Sequence, residues 1–203
     1  MTIPRRLRTI PRTRATRRTH PRARRAFTLI EASLTTVIVG TGVLAIVAAQ
    51  QGYHRLNNQA VNQGSAQLLA NEIRELTLTL PLTDPQYGIT LGGGVEPGED
   101  QADIRTYDDL DDFAGPVSGG LGQGVTFRPP VNALKETIPD LGDRWSQFVI
   151  VENKAEDYIN DPFTSYPLGS TDAVRVSVQV RQHDDENDPT GRVVYEMSWV
   201  VNQ

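Results

Sequence analysis

Cysteine is absent from the 203 residues. That excludes a disulfide-stapled fold, thiol chemistry and any zinc site built on thiolates. Acid is absent from residues 1–26, although the whole chain carries 25 Asp and Glu. Ten arginines fill that stretch, which leaves ten Lys and Arg against 25 acids from residue 27 onward, a net charge near −15. A body this acidic is a poor partner for nucleic acid, whose phosphates need clustered Lys and Arg. Catalytic fingerprints are missing too: there is no nucleophile elbow and no metalloprotease motif. The glycines at 92–94, 119–120, 122 and 124 neither follow a strand nor open a helix with phosphate-loop spacing, so they read as loop residues. His20, His54 and His183 are dispersed and suggest no ligand set. Nothing here points to an enzyme or to an organic cofactor.

What is present is strongly ordered along the chain. Residues 1–26 are rich in Arg, Pro and Thr without apolar periodicity, as expected of a disordered cytoplasmic leader. Such a basic segment can serve as a nucleic-acid arm, but its place directly before an apolar run gives it a topogenic role. That run, residues 27–49, holds a single charged side chain, Glu31. Twenty-three helical residues reach about 34 Å, enough for a hydrocarbon core of about 30 Å. An ionisable group inside such a span is costly, which marks Glu31 as a functional candidate.

Residues 50–80 turn polar and continue the helix. Ala66, Leu69, Ile73, Leu76 and Leu80 recur at three- and four-residue steps, one apolar stripe to pack under a sheet. Pro81 stops the pattern. A helix from near Thr28 to near Thr79 would run about 75 Å. The head is 81–203: a loop-rich region at 81–144, with a short strand at 125–128, then a sheet at 145–203. Residues 146–151 form an apolar run. Val174, Val176, Val178 and Val180 alternate with polar residues, and Val193, Tyr195, Met197, Trp199 and Val201 do much the same. Such alternation predicts half-buried antiparallel strands, three or four in all, joined by a hairpin loop at 183–191. Trp199 is expected on the inward face near Leu69 and Ile73. The fold class is α+β.

The most distinctive head segment is Tyr107-Asp108-Asp109-Leu110-Asp111-Asp112-Phe113. One reading is an acidic capped turn with Leu110 and Phe113 buried and the acids solvated. The other is an oxygen-ligated calcium site at Asp108, Asp109, Asp111 and Asp112. A second acidic group, Asp184, Asp185, Glu186 and Asp188, reads as a solvated turn.

The stretch Arg24-Arg25-Ala26-Phe27-Thr28-Leu29-Ile30-Glu31-Ala32 resembles the signal of type IV prepilins and pseudopilins, with an aromatic residue after the cut and Glu four residues on. Ala26 stands where that family usually has Gly, and Ala48 where proline is common. The resemblance implies a pilin-like layout: one long N-terminal helix, its first half in the membrane, packed on a small antiparallel sheet. It implies cleavage between Ala26 and Phe27 by prepilin peptidase, N-methylation of Phe27, and an assembly role for Glu31 toward other pilin subunits. It also implies an inner-membrane protein with a cytoplasmic N-terminus and an extracytoplasmic head, later part of a pilus or pseudopilus. The acidic element is similar to one in minor pilins of mannose-sensitive haemagglutinin pili. The expected function is that of a minor pilin or pseudopilin. The alternatives are a type II secretion pseudopilin that contacts cargo and a membrane-tethered extracytoplasmic binding module.

Overall fold

Helix α1 runs Leu29–Thr79 in a computed structural model that describes residues 28–82, 99–159, 161, 164–171 and 173–202. The expected leader, the cleavage pair Ala26 and Phe27, and residues 83–98 lie outside the described residues. The chain divides into two units, residues 1–51 and 52–203.

In the first unit every residue of α1 is exposed, including Leu29, Ile30, Val37, Ile38, Leu44 and Ile46. This stretch is long and apolar enough to cross a membrane. Its hydroxyls turn inward on their own helix. Ser33 donates to the Leu29 carbonyl at 2.9 Å, Thr35 to Glu31 at 2.7 Å, Thr36 to Ala32 at 2.9 Å and Thr41 to Val37 at 2.9 Å. Each satisfied hydroxyl removes a polar group that an apolar surrounding would otherwise penalise.

In the second unit the remainder of α1 buries one face. Ala66, Leu69, Ala70, Ile73 and Leu76 are buried, and Leu80 packs against the same cluster, so the stripe read from spacing is the packed one. Two sheets follow. Strands β1 (Val117–Ser118) and β2 (Leu121–Gly122) form a small hairpin. Strands β3 (Val125–Phe127), β4 (Trp145–Lys154), β5 (Ala173–Gln182) and β6 (Arg192–Asn202) form an antiparallel sheet in chain order. One long N-terminal helix packed on an antiparallel sheet is an α+β fold with a pilin-like layout.

The valines at 174, 176, 178 and 180 all face the core. On β6 the register places Trp199 opposite Val176, Met197 opposite Val178 and Tyr195 opposite Val180. These three are half-buried against the core rather than enclosed by it, because β6 is the sheet's last strand. The inward alternation fails at Val193, which is 46 % exposed. A register shift between Val180 and Arg181 pairs Arg181 with Val193, leaving Val194 as the extra residue and turning Val193 outward. Val194 packs against the core in its place.

The head is fastened by buried polar side chains. Gln147, fully buried on β4, donates to the carbonyls of Leu69 on α1 (2.9 Å) and Val131 (3.1 Å), and accepts from the Val131 N–H at 2.8 Å. Lys154, also fully buried, donates to the carbonyls of Asp161 and Thr164 and to the Ser165 hydroxyl, with Glu152 at 3.4 Å.

Candidate functional site

Glu31 opens the apolar half of α1. Its backbone N–H donates to the Thr28 hydroxyl at 3.3 Å and to the Thr28 carbonyl at 3.0 Å. Thr28 thus caps the helix, and the pair has the Thr-x-x-Glu spacing of a capping box. Spacing alone could have shown the Thr28 cap. An acid in the first turn also suits the helix dipole.

The acidic element lies in the second unit and is built as a folded knot. Tyr107, Leu110 and Phe113 are fully buried. The Tyr107 and Phe113 rings meet edge to face at 5.2 Å, and Phe127 of β3 lies 6.0 Å from Phe113. The Tyr107 hydroxyl donates to the Gln101 carbonyl at 2.9 Å, Lys135 Nζ donates to the Tyr107 carbonyl, and the Leu110 N–H donates to the Pro81 carbonyl. The segment therefore locks the end of α1 to the aromatic cluster.

The acids are not solvated as the turn reading expects: Asp109, Asp111 and Asp112 are buried, and only Asp108 is half-exposed. The chain folds them in because they terminate its own backbone. Asp109 Oδ1 accepts from the N–H groups of Asp111 (3.0 Å) and Asp112 (3.4 Å), while Asp112 Oδ2 accepts from Asp108 (2.9 Å) and Asp109 (3.3 Å). Asp109 and Asp112 thus cap one another across the 3₁₀ turn Asp111–Ala114.

Of the four acids singled out by sequence, Asp108 and Asp112 share a cluster with a residue that sequence did not suggest, Glu99. One carboxylate oxygen from each of these three lies within 4.8 Å of the others. Burial pushes the Asp112 carboxyl up to about 7, and the adjacent Glu99 carboxyl adds to the rise. The Tyr107 phenol is also pushed up, to about 12, by burial first and by Asp112 second.

A Ser–His–Asp grouping appears that no motif announces. Ser146 Oγ is 2.7 Å from His183 Nε2, and His183 Nδ1 is 3.0 Å from the Asp188 carbonyl and 3.9 Å from its carboxylate. Ser146 and His183 are 1 % and 3 % exposed, so the hydroxyl is closed to substrate. The grouping fastens the 183–191 loop onto the outer face of β4, helped by Arg128, which donates to the carbonyls of Asp185 and Asp188. Gly191, at φ 61°, leaves room for the ring: a Cβ there would lie 2.7 Å from His183 Cε1. Asp184, Asp185 and Glu186 are exposed, in keeping with a solvated turn.

Comparison with protein-family models, curated proteins and solved structures finds no match to this chain.

Proposed function

We propose that the chain is a type IV pilin-like subunit, a minor pilin or pseudopilin that works as a structural member of a filament rather than as an enzyme. The observation that carries this reading is the apolar first half of α1. It is exposed throughout, its hydroxyls are satisfied internally, and its single ionisable group sits in the first turn, four residues after Phe27. The ten arginines ahead of it favour a cytoplasmic N-terminus and an extracytoplasmic head. The irregular head with its acidic knot favours a minor subunit over a major one.

The mechanism follows from electrostatics in hydrocarbon. Cleavage before Phe27 by prepilin peptidase exposes an α-amine, which stays cationic when singly methylated. Glu31 is one helical turn away, within reach of its own or a neighbouring subunit's amine. Each unpaired charge in the membrane costs at least about 2.5–3.5 kcal/mol on insertion scales. Pairing an incoming Phe27 amine with a neighbour's Glu31 removes both penalties and fixes the stagger between helices.

Intact-mass and N-terminal sequencing of membrane-extracted protein should find methylated Phe27 as the first residue. Residues 1–26 still attached in cells with active prepilin peptidase would refute the reading. Glu31→Ala should leave cleavage largely intact and reduce recovery in sheared filaments. Glu31→Gln is the better control: it keeps the size and shape of the side chain and removes only the charge. Full incorporation of Glu31→Gln would eliminate the pairing role. Recovery of the unaltered protein only from membranes, never from filaments, would favour the tethered binding module.

A further inference from the structure

We propose that Glu99, Asp108 and Asp112 hold a divalent cation, calcium by preference, at the acidic knot. The three offer oxygens within 4.8 Å of one another, a spacing that one ion with oxygen ligands at 2.3–2.6 Å can bridge. Clustered acids alone would not suffice, since surface carboxylates gather without an ion. Asp112 supplies the independent observation. It is fully buried, its Oδ2 accepts from two backbone N–H groups, and its Oδ1 is buried with no hydrogen-bond donor facing it. A buried carboxylate oxygen left without a donor is costly, and a neighbouring carboxylate raises the cost. Only a proton or a cation relieves it.

The geometry favours calcium over magnesium. Three carboxylates on an irregular loop, completed by water, suit an ion that accepts six to eight oxygens in loose arrangement. Magnesium demands a near-ideal octahedron and gives up water reluctantly. Oxygen-only donors disfavour zinc and copper. Asp109 and Asp111 lie outside this ligand group: Asp109 Oδ1 is taken up by the backbone of the 3₁₀ turn, so the set read from sequence contracts to two of its members and gains Glu99.

The test uses the full chain in detergent, stripped with chelator, with thermal unfolding followed at constant ionic strength. At pH 8, millimolar calcium chloride should raise Tm, chelator should reverse the rise, and magnesium chloride should do less. Terbium should bind the same site and be sensitised by nearby Tyr107, with calcium competing. Glu99→Gln and Asp108→Asn should each weaken terbium and calcium binding about tenfold or more at unchanged secondary structure. Absence of a calcium-dependent Tm shift at pH 8 would overturn the proposal, as would undiminished binding by both variants. Neither outcome bears on filament assembly, which the Phe27 and Glu31 experiments address separately.

Discussion

Gln147 shows what a single side chain does in this head. Its amide satisfies both backbone groups of Val131 and reaches the Leu69 carbonyl, so it joins sheet, loop and helix. Gln147→Leu would leave the buried Val131 N–H and C=O without partners, and each orphaned group costs about 1–3 kcal/mol. Chemical denaturation should therefore show a loss of about 2–4 kcal/mol. Trp199 should behave differently. Being half-buried, it should lose less on truncation than the 3–5 kcal/mol of an enclosed Trp. Its indole N–H is buried without a partner, so Trp199→Phe should be nearly neutral in the same assay. The apolar residues were legible in sequence because periodicity exposes them: the α1 stripe and the β5 valines lie where spacing puts them. Gln147, Lys154 and His183 were not, since a buried polar residue is defined by partners distant in the chain, 78 residues away for Gln147 and Leu69. Glu99 escaped for the same reason, standing eight residues ahead of the motif it joins.

Among the elements, β5 fitted the sequence pattern best, and β4 runs past the expected 146–151 at both ends. The loop after β4 is held from below by the Glu152, Lys154 and Arg175 group. Burial raises the Glu152 carboxyl, but Ser165, Arg175 and Lys154 outweigh it, and the net pKa is lowered. A depressed carboxyl contributes stability that is present above its ordinary value, near 4.5, and is lost as pH falls through the lower folded value. Acidification below about pH 4.5 should thus loosen residues 161–171 before the β4–β5 pairing, read as early proteolytic nicking in that loop. Lys154→Met should produce the same nicking at neutral pH, because it leaves Glu152 short of a partner and three acceptors unfilled. The sequence could not foretell this clamp, since Glu152 and Lys154 lie beyond the apolar run at 146–151 and their partners come from the loop that follows and from β5. On β6, the extra residue at Val194 was hidden because Val193 and Val194 are identical in type, so either could have taken the inward place.

For the whole molecule, the strand order has a consequence in time. The sheet that covers Leu69, Ile73 and Leu76 is built largely from β4, β5 and β6, all later than residue 144. A ribosome releases α1 first, so its apolar stripe emerges while its cover is still unmade. A chain stopped after residue 142 keeps the whole helix and none of those three strands. In the same detergent it should bind more of a hydrophobic dye than the full-length protein, and it should be cleared faster by cellular proteases. Dye binding equal to that of the full chain would show that the loop region alone covers the stripe. During every round of synthesis the nascent protein therefore passes through an interval in which its stripe is adhesive, and that interval lasts until residues 145–202 have been made.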